Sequence, residues 1–275
     1  MNIRKTISYL ANRIEEVYCS IICDDDFLVT NSLTKCAQFL SENNDYRTAQ
    51  GKAILFGLNE SGPYGSIKGS QVYWKNNDII DKTSLNRLSF FSNNYWVPQF
   101  SVHRTSEFVS DSKFYQILTD ESFGEIFHNF VFVANGKSKF IDCLYLIRQT
   151  HDNRYLLPDF YEWITSDNWH SDYIIFIDKL SNEIMITDNL SKEEAINIAK
   201  ISLKNYLISF TKSSLRRTDV IKKEINFNFI KKLLLPFYLK YFYKDIFTKM
   251  IYNKSKYQDD ALEIYNLITK NTYVK

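Results

Sequence analysis

Tyr18-Cys19-Ser20-Ile21-Ile22-Cys23-Asp24-Asp25-Asp26 runs six largely apolar residues into three consecutive acids. The first six read as a buried strand, in which Cys19 and Cys23 behave as small hydrophobes. Three adjacent carboxylates repel one another unless water or a counter-charge relieves them. The run is therefore either an acidic turn capping the next helix or a site for a divalent cation, since Mg2+ and Mn2+ favour carboxylate oxygens. Along an extended chain Asp24 and Asp26 project to one side and Asp25 to the other. The carboxyl end of a strand is also where an open α/β sheet usually binds its ligands.

Outward from that run, residues 3–17 place Ile3, Ile7, Leu10, Ile14 and Val17 at helical spacing. A second helix is expected over 32–41, with Asn31 or Ser32 as its N-cap. Strands are expected at 53–58 and 71–74, joined as a hairpin by the turn-rich 59–66. Gly62, Gly65 and Gly69 lack the spacing of a phosphate-binding loop. Further along come a strand at 99–103, a helix at 123–133 and a strand at 140–148. Residues 173–177 read as a strand or the start of a buried helix, and the chain is helical beyond Ser191. Pro236 should end or kink a helix within 229–242. This order of helices and strands indicates an α/β fold, with a core over 1–170 and a mostly helical region over 171–275.

Composition limits the alternatives. With 45% hydrophobic and 24% charged residues, 21 Phe and 19 Tyr but only 7 Gly and 4 Pro, the chain is neither collagenous nor low in complexity. Its four cysteines have no zinc or disulfide spacing, which suits a reducing, cytoplasmic setting. No apolar run reaches the roughly 18 residues of a spanning helix, and the N-terminal residues lack the pattern of a signal peptide. Residues 201–275 hold 15 Lys and Arg against 6 Asp and Glu, so the rest of the chain is acidic. Such a tail suits either a polyanionic partner, including peripheral contact with the inner face of a membrane, or a solvated helical face. No nucleic-acid-binding motif accompanies it, and no nucleic-acid partner is expected.

Several motifs follow the acids in order: Phe27-Leu28, Asn44-Asp45-Tyr46, Phe100-Ser101-Val102-His103-Arg104-Thr105, Phe123-Gly124-Glu125-Ile126, Gly136-Lys137 and Tyr145-Leu146-Ile147-Arg148-Gln149. With the Asp24-Asp25-Asp26 run, this set resembles the GT-A glycosyltransferases, in a bacterial branch related to family 2 and found among capsule and O-antigen sugar transferases. The resemblance covers roughly residues 1–170. It implies a Rossmann-like GT-A core, a nucleotide-sugar donor, a glycan or lipid-linked acceptor, a Mn2+ or Mg2+ cofactor and inverting transfer. It assigns Asp26 as principal metal ligand with Asp24 and His151, and Asp24, Asp25 and Arg148 to the donor. Glu125 becomes the general base, with Asp120 and Glu121 close enough in sequence to compete. His103 and Arg104 are left between acceptor contact and a structural role. The strand–helix–strand unit that opens the GT-A pattern is not found ahead of the acids, so the core is expected to be N-terminally incomplete. The alternative is a non-catalytic binding or scaffold subunit that uses the basic C-terminal region.

Overall fold

The computed structural model describes residues 3–74, 77–151, 157–212, 246–252 and 255–270. Helix α1 (Ile3–Ala11) stops short of Val17. Asn12 and Arg13 side chains donate to the carbonyls of Ser8 and Tyr9, which closes the last turn. Strand β1 (Tyr18–Cys19) follows, then β2 (Asp26–Leu28), so the expected single strand over 18–23 is instead a short strand and a crossing segment. Helix α2 (Thr30–Glu42) begins at Thr30 without a side-chain cap. Neither Asn31 nor Ser32 caps it; the Ser32 hydroxyl donates instead to Leu144 O at 2.5 Å, fastening the helix to the sheet.

Strands β3 (Tyr46–Leu58) and β4 (Ile67–Val72) form the expected antiparallel hairpin around the 59–66 tip. Next come α3 (Ser84–Asn93), a single 3-10 turn at Pro98–Phe100, β5 (Val102–Arg104) and α4 (Thr105–Ser112). Helix α5 (Glu121–Asn135) is followed by β6 (Lys137–Gln149). The remaining elements are α6 (Phe160–Ile164), α7 (Trp169–Asp188), α8 over 192–212, α9 (Ile246–Tyr252) and α10 (Gln258–Lys270). Pro236 and the 229–242 stretch lie outside the described residues.

The mixed sheet has the order β1-β5-β3-β6-β2, with β4 on β3. Among the described residues only β3 and β6 pair in parallel. Their register shifts around Gly51, where an added Cβ would lie 2.6 Å from Cys143 O; only glycine allows the two backbones this close. Pleating, interrupted by the register shift at Lys52/Ala53 that puts the consecutive Tyr145 and Leu146 on one side, divides the side chains of the central strands between two cores. Ala49, Ala53, Tyr145 and Leu146 join the larger cluster, with residues of α2, α3, α5, α7 and α8. Ile54, Phe56, Leu144 and Ile147 pack on α9 and α10.

Residues 173–177 are helical rather than a strand, because Phe176, Leu180 and Ile184 recur at helical spacing and all three are fully buried. Each contributes about 1.5–3 kcal/mol by burial. The larger core therefore spans both sides of residue 170. Among the described residues no helix is long and apolar enough to cross a membrane.

Candidate functional site

The acids sit in a turn. Asp26 N–H donates to Cys23 O at 3.3 Å, which folds Asp24 and Asp25 back on themselves. The alternation expected of an extended chain is lost. Asp24 points to solvent, while Cys23, Asp25 and Asp26 converge. Their ligating atoms lie within 4.8 Å of one another.

Asp26 opens β2 directly opposite Arg148 of β6, so pairing of the strands sets carboxylate and guanidinium together. Asp26 Oδ1 accepts from Gln149 N–H at 3.2 Å. Oδ2 is buried without a hydrogen bond, its nearest cation being Arg148 Nε at 3.6 Å, too far to donate well. Burial raises the Asp26 carboxyl to about 6, against the pull of Arg148; nearby Asp25 raises it further. Burial likewise pushes the Cys23 thiol up to about 11, aided by Asp26. Cys23 thus stays a neutral thiol, and the charged donors here are hard oxygens. That donor set, with one buried oxygen unsatisfied, fits Mg2+ or Mn2+ better than a thiophilic ion.

Arg148 is held by aromatic rings. Its guanidinium carbon lies 4.9 Å from the centre of Phe100 and 5.3 Å from that of Tyr73, and Nη1 donates to the Tyr73 hydroxyl at 3.1 Å. Glu125, one turn into α5, lies within electrostatic reach of the same group. Burial raises its carboxyl above the ordinary value and Arg148 opposes the rise. Tyr73 feels both Glu125 and Asp26, so the three acids and bases share one electrostatic neighbourhood. The neighbouring acids are otherwise engaged: Asp120 caps α5 by accepting from Phe123 N–H at 2.7 Å and from the Trp163 indole at 2.9 Å. Glu121 is exposed in the first turn.

His151 reaches the same cluster, with Nε2 3.0 Å from Asp25 Oδ2. His103 and Arg104 do not. His103 is buried against Phe108 and Phe132, and burial lowers its pKa to about 3, so it is neutral. Arg104 donates to the carbonyls of Leu40, Asn43 and Tyr46 at the end of α2. Both are structural.

The structure thus brings together Asp25, Asp26, Glu125, Arg148 and His151, and leaves Asp24 outside. Tyr73, Phe100, Cys23 and Gln149 complete the cluster. A scan against protein-family models and a search of curated proteins found no match. Of the four added residues, Phe100 and Gln149 lay in the quoted motifs and Cys23 was read as a small hydrophobe; nothing about Tyr73 marks it as the partner of an arginine 75 positions away.

Proposed function

We propose that the chain is a glycosyltransferase that moves a sugar from a nucleotide-sugar donor to a glycan or lipid-linked acceptor in surface-polysaccharide synthesis. The observation that carries this reading is the unsatisfied, buried Asp26 oxygen beside Arg148, with Asp25 and His151 in contact close by and Glu125 within electrostatic reach of Arg148. Asp26 and Asp25, with His151, would hold a divalent cation, which supplies positive charge to a departing diphosphate when bound.

The chain's own residues divide the remaining work. Arg148, fixed between Tyr73 and Phe100, offers a planar cation suited to a diphosphate. The Glu125 carboxylate makes no hydrogen bond among the described residues, and burial makes it a stronger base than an exposed glutamate. It accepts the proton of the acceptor hydroxyl as that oxygen attacks the anomeric carbon. Direct attack requires no covalent enzyme intermediate and inverts the anomeric centre.

Isothermal titration with UDP-, GDP- and CMP-sugars, each with Mn2+ or Mg2+, tests the reading. One donor should bind in a metal-dependent way, and Asp26→Ala should abolish that binding. Absence of binding by every donor with either metal would defeat it.

A further inference from the structure

Asn129 lies one turn beyond Glu125 on α5 and ties a second polar group to it. Its Nδ2 donates both to Glu125 O at 2.9 Å and to the Tyr95 hydroxyl at 3.0 Å. Its Oδ1 accepts from Gln99 N–H at 3.0 Å. These partners fix the amide: turned over, it would set its NH2 against an N–H and its oxygen against a carbonyl. The Tyr95 hydroxyl is therefore an acceptor toward Asn129, and its own hydrogen donates to no group among the described residues.

Packing holds this phenol in place. The Tyr95 ring centre lies 5.2 Å from that of Phe91 and 4.8 Å from that of Tyr206, edge to face. Tyr206 belongs to α8 and meets Phe130 edge-on, so the helical region beyond residue 170 supports the same spot. Burial, and then the nearby Glu125 charge, push both phenols above the ordinary tyrosine value, so both stay protonated. Glu125 and Tyr95 each keep part of their surface exposed. One free acceptor and one free donor thus lie around the same turn of α5.

We propose that Tyr95 and Glu125 form a subsite for an alcohol hydroxyl, in which the Tyr95 O–H donates to the hydroxyl oxygen and that hydroxyl donates to the Glu125 carboxylate. A hydroxyl both accepts and donates at one neutral atom. An ammonium has no lone pair for Tyr95, and a phosphate or carboxylate would meet Glu125 as a like charge. As an acceptor site, the subsite rests on the sugar-transfer reading. There the alcohol oxygen bonds to the anomeric carbon, its proton passes to Glu125 and the nucleoside diphosphate leaves. Tyr95 occupies one lone pair of that oxygen and leaves the other to attack, so it sets which acceptor hydroxyl is presented.

The test uses the full chain carrying 3-fluorotyrosine, with the Tyr95 and Tyr206 fluorine signals assigned through Tyr95→Phe and Tyr206→Phe. Methyl glucoside and methyl galactoside are titrated without donor, and urea melts check that both variants fold. At least one glycoside should shift the Tyr95 signal. Tyr95→Phe, which keeps the ring and its packing, should weaken that binding about fivefold, read at Tyr206, and Tyr206→Phe should leave it within about twofold. No shift at Tyr95 with either glycoside, an equal shift with inorganic phosphate, or equal losses in the two variants would overturn the subsite. Metal-dependent donor binding, read separately by calorimetry, should stay within about twofold in Tyr95→Phe; a parallel loss would overturn its place on the acceptor side. If the unsubstituted chain binds no donor, the transfer reading fails, while a Tyr95-dependent glycoside titration still upholds the alcohol subsite.

Discussion

Replacing Arg148 by Met removes the one cation paired with the buried Asp26 carboxylate among the described residues, while keeping most of the side-chain volume. Breaking a buried ion pair from one side costs about 3–5 kcal/mol, because the remaining charge is left without a partner. Arg148 is 25% exposed and Asp26 only 1%, so the uncompensated charge lies in the better-buried partner. The long 3.6 Å separation places the cost at the lower end. Loss of the guanidinium's position over Phe100 and Tyr73 adds about 0.5–1 kcal/mol. Arg148→Met should therefore destabilise the fold by about 3–4 kcal/mol. Asp26→Asn should cost much less, since Arg148 keeps its aromatic neighbours and some water. The double variant should recover about half of the Arg148→Met loss, giving a coupling of about 2 kcal/mol. Urea unfolding with a chelator present measures all four corners of this cycle. A loss below about 1 kcal/mol in Arg148→Met, or additive effects in the double variant, would refute the claim that the pair is electrostatically coupled.

Three further outcomes are expected. His103 carries a folded-state pKa of about 3 against an ordinary 6.5; the unfolded chain binds the extra proton between these values, so stability falls as pH drops through that window. The loss is about 5 kcal/mol at most, and His103→Phe should remove most of it from a pH series of urea melts. Arg104→Ala frees the carbonyls of Leu40, Asn43 and Tyr46 and should cost about 2–3 kcal/mol, while donor binding by the folded fraction stays unchanged in calorimetry. Glu125→Gln should keep donor affinity within about twofold and lower turnover by about a hundredfold or more, as removal of a general base does; an unchanged turnover would move the base elsewhere.

The parts legible in the sequence were those with a strong local signal. The apolar, Gly-poor stretch that forms α5 and the β-rich runs of β3 and β6 declare themselves by period and composition. Glu125 and Arg148 lie on these elements, but it was the family resemblance, not that local signal, that singled them out. Tyr173-Ile174-Ile175-Phe176-Ile177 has strand-like residues, yet Phe176, Leu180 and Ile184 gain more from packing as a helix on the larger core than β-branching loses. A turn at the acids was one of the two readings, but the alternation of Asp24, Asp25 and Asp26 failed because one backbone bond from Asp26 to Cys23 overrides it, and residue types alone do not reveal such a bond. His103 and Arg104 drew attention as part of the Phe100–Thr105 motif, but a buried neutral imidazole and a guanidinium closing a helix end account for them.

The acidic turn belongs to a tether between opposite ends of the sheet: β1 is terminal on one side and β2 on the other. Its length is therefore a dimension of the protein. An inserted residue in 20–25 would slip Asp26 out of register with Arg148 or pull β1 from β5, whereas the 59–66 hairpin tip can lengthen without changing any strand pairing. Tolerance of insertion should consequently map this chain more sharply than tolerance of substitution, with the shortest connection the least extensible.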